Sequence, residues 1–147
     1  MHMFVFMKKS VLLLGVSLLL LAGFYSCTKD NEYSIEDLYG YWQEDAGTGG
    51  ETHYVRFLTA AQDTVYEDYL YGYEWTLPDQ KEENVTAHPH GNNWFRYKLV
   101  HKDLTYIHLM TNGGADIPKV YKVTTLTSTK LVYKDENNSY SFSKVNR

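Results

Sequence analysis

Tyr69-Leu70-Tyr71-Gly72-Tyr73-Glu74-Trp75-Thr76-Leu77 is the stretch that decides the fold. Its odd positions are aromatic or leucine, and Val65 upstream keeps the same parity. A period of two belongs to a β-strand, whose successive side chains leave opposite faces. Gly72 breaks the run as a tight turn or a kink, so the stretch reads as two strands, 64–71 and 73–77. Outward from it, the same pattern gives strands at 41–45, 52–58, 94–101, 104–111, 119–126, 129–135 and 139–145. Phe95, Tyr97 and Leu99 alternate with Arg96 and Lys98, and Tyr140 and Phe142 alternate with Ser139, Ser141 and Ser143. One buried face and one wet face is the antiparallel pattern. Lys102-Asp103, Ser128-Thr129 and Asn137-Asn138 suit hairpin turns. Segments 78–93 and 112–118 make longer loops. Helical periodicity is confined to one turn at Ser34–Tyr39, which Ser34 starts and Gly40 stops. The expectation is an all-β antiparallel meander of eight to nine strands, closed into a barrel because closure removes exposed edges.

Composition sets the outer limits. A chain of 147 residues allows one domain. A net charge of −4 disfavours a nucleic-acid partner. With 44% hydrophobic and 22% charged residues, the chain is an ordinary globular mix, and its 14 Tyr dominate the aromatic content. A single cysteine excludes an internal disulfide framework.

The first residues read as an address. Lys8 and Lys9 precede an apolar run from Val11 to Ala22, and small residues follow at Gly23 and Ser26. This is the layout of a secretory signal over residues 1–26, and the run is short for a membrane-spanning helix, which needs about 20 residues. Cys27 after Ser26 resembles a bacterial lipoprotein lipobox, in which the cysteine is lipidated and becomes the first mature residue. That resemblance implies anchoring by several acyl chains. Residues 27–37 then form the lipidated cysteine and a tether. Thr28-Lys29-Asp30-Asn31-Glu32 resembles the surface-export signal of Bacteroidetes-type lipoproteins, with a plain solvated tether as the alternative. The expected location is the outer membrane, lipid-anchored, on its periplasmic or its external face.

Gly40-Tyr41-Trp42 at the head of the first strand, followed by a meander, resembles the lipocalin-like fold. The C-terminal run from Val123 to Val145 resembles the last strands of the small lipocalin-like lipoproteins of Bacteroidetes. The resemblance covers residues 38–147. It implies that Gly40 and Trp42 plug the closed end of the barrel and that a basic side chain late in the chain packs over the Trp; Lys144 and Arg147 are the two in place for this. It also implies a cup for a small, mostly apolar molecule.

The candidate lining of such a cup is Tyr69, Tyr71, Tyr73 and Trp75 with Trp94 and Tyr97, since Tyr and Trp suit a ligand with an apolar body and polar edges. The alternative is that these rings fill a solid core, as small eight-stranded barrels permit. His88-Pro89-His90 has metal-like spacing, with His101 or His108 as a third ligand; an exposed polar loop is the alternative. Asp63-Thr64-Val65 resembles the O-glycosylation motif of exported Bacteroidetes proteins, which makes Thr64 a candidate modification site. No triad, nucleophile elbow, phosphate loop or placed carboxylate pair appears, so no catalytic residue and no cofactor are expected. The expected function is that of a lipid-anchored monomer that binds a small apolar or amphipathic ligand, with loop 78–93 as lid or rim. The alternative is a packed barrel that docks an envelope protein through its Tyr-rich faces.

Overall fold

The computed structural model describes residues 33–46, 49–109 and 116–147. The expected signal, Cys27 and the start of the tether lie outside the described residues. A one-turn helix α1 (Ile35–Leu38) leads into β1 (Gly40–Glu44), β2 (Thr52–Phe57), β3 (Leu70–Leu77), a short helix α2 (Glu82–Thr86), β4 (Trp94–Val100), β5 (Asp103–His108), β6 (Lys119–Leu126), β7 (Lys130–Lys134) and β8 (Ser139–Val145). All neighbours pair antiparallel in chain order. β8 returns to β1 through Tyr41↔Val145 to Glu44↔Phe142, and the eight strands close into a barrel.

Eight strands form rather than nine. Residues 59–69 are not a strand and hold only a bridge between Tyr66 and Tyr69. Their aromatic rings are satisfied differently: Tyr66 lies under the Arg96 guanidinium at 4.3 Å and Tyr69 under the Lys98 ammonium at 4.5 Å. Gly72 is neither turn nor kink but an inner position of an unbroken β3, opposite Phe57 on β2 and Phe95 on β4.

The register fixes which face is inside. Trp42 pairs with Val55, Val55 with Glu74, Phe57 with Gly72, Gly72 with Phe95, and Phe95 with His108. Partners across a ladder share a face, so the even residues of β3 point into the bore and the odd ones point out. Inside, the rings of Phe57, Tyr97, Phe95, Tyr106, Tyr121, Tyr133 and Phe142 form one chain of contacts with centroids 4.5–6.2 Å apart. Each such pair adds about 0.5–1.5 kcal/mol to the burial of its area.

α1 closes one end. Leu38 and Trp42 are fully buried, and the Trp42 indole N–H donates to the Leu38 carbonyl at 2.7 Å. The Lys144 ammonium sits 4.8 Å from the Trp42 ring and donates to the Asp37 carbonyl at 2.8 Å. Gly40 turns the chain from helix to strand at φ 116°, where a side chain would be strained.

Candidate functional site

The chemistry of this barrel divides between its mouth and its outer wall. At the mouth, away from Trp42, the inward positions turn polar. Glu74 on β3 accepts from His53 on β2 at 3.2 Å and from His108 on β5 at 3.3 Å, and the other ring nitrogen of His53 faces Glu44 on β1 at 3.2 Å. An imidazole donates from both nitrogens only when protonated. Burial works against charge on His53, but Glu74 and Glu44 outweigh it and raise its pKa above the ordinary 6.5. The Glu74 hydrogen bond raises that of His108. For Glu74, burial favours the neutral acid, yet the bonds from His108 and His53 hold its pKa at about 2. The cluster brings two carboxyl groups and two imidazoles together, and its contacts favour the charged forms of Glu74, His53 and His108.

The outer wall carries a second apolar cluster: Leu58, Tyr71, Tyr73, Trp75, Val85 and Trp94. Segment 78–93 leaves the mouth after the cis Leu77–Pro78 bond and lies along this wall as a strap. It is tied at intervals. Tyr73 donates its hydroxyl to Glu82 at 2.8 Å, and Arg147 pairs with Glu82 at 3.1 Å. The Trp94 indole N–H donates to the Val85 carbonyl at 3.1 Å. His90 stacks on Tyr71 with centroids 4.1 Å apart and pairs with Asp63 at 3.0 Å. Asp63 belongs to the β2–β3 connection at the Trp42 end, so the strap descends most of the wall. Burial and the Glu82 bond push the Tyr73 phenol well above its usual pKa.

Five of the six expected cup residues therefore do not line the bore. Tyr71, Tyr73, Trp75 and Trp94 face outward beneath or beside the strap, and Tyr69 stands outside against Lys98. Tyr97 alone points inward, and its hydroxyl is already held by the Leu58 carbonyl at 2.7 Å. The stripe is apolar because the strap covers it, not because the bore does. Correspondingly, 78–93 is neither lid nor rim. His90 turns to Asp63 and Tyr71 while His88 lines a cleft beside Trp94, and among the described residues no group of metal-ligating side chains converges on a point. Thr64 is exposed in the β2–β3 connection rather than at a strand start, and its N–H donates to Asp63 at 2.6 Å. Gly40 and Trp42 lie at the α1 end of the barrel, and Lys144 rather than Arg147 lies over the Trp42 ring. Arg147 instead lies over Tyr54 and Trp75 at 5.6 and 5.4 Å on the outer wall.

α2, the covering strap and the mouth cluster were missing from the sequence expectations. A signal for α2 existed: Glu82-Glu83 beside Val85 is a helix start with one apolar residue to bury.

Between α2 and the turn that leads to Trp94 lies a cleft of about 370 Å³, lined by Gln80, Asn84, Val85, His88, Asn93 and Trp94 with Gly91 and Asn92. The Asn93 amide donates to the Gln80 side chain at 2.8 Å and to the Glu74 carbonyl at 3.1 Å, which fixes both carboxamides.

The fold and these sites define a class: a closed eight-stranded antiparallel meander barrel, consistent with a lipocalin-like fold, with a ring-filled bore and a strapped outer wall. No protein-family model, curated protein or solved structure matches the chain.

Proposed function

We propose that this protein is a lipid-anchored, non-catalytic binding protein of the bacterial outer membrane, related to the small lipocalin-like lipoproteins of Bacteroidetes, whose barrel is a packed scaffold and whose recognition surface is the strapped outer wall. The continuous chain of rings across the bore supports this reading above all. Emptying one aromatic ring's worth of core costs about 3–5 kcal/mol. A bore ligand would have to repay that before it gained any affinity. Cys27 is the lipid site on this reading, and the acidic chain relies on lipid rather than charge to hold the membrane.

A photo-cross-linker carried at Asn84 on the strap, and at the exposed Val120 on β6 as control, tests it in intact envelopes. The expected result is a discrete cross-linked envelope component from Asn84 and none from Val120. Equal labelling from both positions overturns the reading.

The second reading is a small amphipathic molecule held at the mouth. The Glu44–His53–Glu74–His108 cluster favours it, because inward polar groups at an opening can fix a ligand's polar edge. Native mass spectrometry of protein taken from host extract separates the two. The scaffold gives a clean apo mass, and a mouth ligand gives an adduct that is lost in Glu74→Gln.

A further inference from the structure

We infer that the strap cleft binds one neutral pyranose ring, the terminal sugar of a glycan; this deepens the reading above, since the cleft lies on the same strapped wall. Three features carry it. First, none of the lining residues is Asp, Glu, Lys or Arg. An ionised ligand such as a phosphate or a carboxylate would lose its water there with no ammonium or guanidinium to answer its charge and only the His88 imidazole beside it. Second, the floor is an apolar surface. Val85 and Trp94 are buried at its base, and the indole N–H is spent on the Val85 carbonyl, so the ring offers only its carbon surface to a ligand. Third, the walls are carboxamides held in place. Asn93 uses its NH₂ on Gln80 and on the Glu74 carbonyl, which leaves its Oδ1 as an acceptor beside the Gln80 Nε2 donor. The exposed Asn84 amide adds a donor and an acceptor at the rim.

A hydroxyl both donates and accepts, so a pair of neighbouring hydroxyls satisfies a donor beside an acceptor. A purely aliphatic ligand would leave the amides unpaired, at about 1–3 kcal/mol for each buried group. A sugar ring combines what the cleft asks for: a C–H face for Val85 and Trp94, and a hydroxyl rim for Gln80, Asn84 and Asn93. The cleft's 370 Å³ admits one such ring and leaves its outward bond open to the next sugar of a chain.

The test is amide-correlation NMR on the full-length chain in a sugar-free detergent. The probes are methyl glycosides of glucose, galactose and mannose, added to about 100 mM because a single ring in an open cleft binds in the millimolar range. The expected result is saturable shifts of the Gln80, Asn84 and Asn93 side-chain NH₂ groups and the Trp94 indole N–H with at least one glycoside. Glucuronic acid should produce none. Asn84→Ala, at an exposed position on α2 that leaves the fold intact, should weaken binding about fivefold. Two outcomes overturn the inference: no saturable shift with any glycoside, or equal shifts with N-acetylglycinamide, which would mark a peptide site instead. Failure here with strap-specific cross-links retained would remove the sugar and leave the recognition surface.

Discussion

At Gly72 the barrel has no space for a side chain. A Cβ there would lie 2.5 Å from the Phe95 ring and 2.6 Å from the Arg56 carbonyl. The ring can shift a little; the carbonyl is held by the β2–β3 ladder. Gly72→Ala is therefore expected to destabilise the protein by about 1–3 kcal/mol. The check is a lowered denaturant midpoint at unchanged m-value, which separates lost stability from a changed unfolded state. Lys144 is the other decisive single residue. It joins α1 to β8 through the Asp37 carbonyl and the Trp42 face. Lys144→Ala loses a charged hydrogen bond and a cation–π contact, about 1–3 kcal/mol together. Lys144→Arg should retain most of it, because a guanidinium supplies both contacts. The Gly-x-Trp opening was legible in the sequence because it is local. Lys144 was legible only as one of two candidates, since which basic group covers the Trp depends on the closure of β8 on β1.

Among the elements, β3 shows what a sequence pattern conveys and what it leaves out. Period two was plain along Tyr69–Leu77, and so was the strand. The pattern does not say which face is inside, and the apolar stripe suggested the odd positions. The strap covers those, while the inward face needs a glycine under Phe95 and an acid at the mouth. Glu74 is thus the element's most informative residue, and it makes stability depend on pH. His53 and His108 have raised pKa values, so their contribution is complete below the ordinary 6.5 and is lost as pH rises through the raised values. Glu74 has a lowered pKa, so its contribution is present above the ordinary 4.5 and is lost as pH falls towards about 2. Thermal stability should peak between those two ordinary values and fall on both sides. Glu74→Gln removes the shared partner, and the loss of stability between about pH 6 and 8 should become shallower, with the contact of His53 to Glu44 retained. A melting series across pH reads both curves, and an unchanged alkaline slope in the variant would show that the histidines are not coupled to Glu74.

For the whole molecule, the closed barrel followed from strand count and short turns, because each hairpin is a local decision and closure is the cheapest way to remove the last two edges. The outer layer did not follow, because it depends on contacts between segments far apart in sequence: Asp63 with His90, Tyr73 with Glu82, and Arg147 with Glu82. These ties are few and partly exposed, whereas the rings that fill the bore are buried. Two layers of unequal strength should open separately, since segments with few buried contacts unfold locally at low cost. His90→Ala removes the link at the far end of the strap and its stacking on Tyr71. Hydrogen exchange should then quicken by about tenfold or more over residues 79–92, corresponding to a local loss of about 1.4 kcal/mol. Amides of β5 to β8 should keep their protection, because the ties from His90 end on Tyr71, Trp94 and Asp63. Quickening spread evenly over all eight strands would mean that strap and barrel form one cooperative unit. In that case the outer aromatic cluster would be part of the core and not a surface held shut by a movable cover.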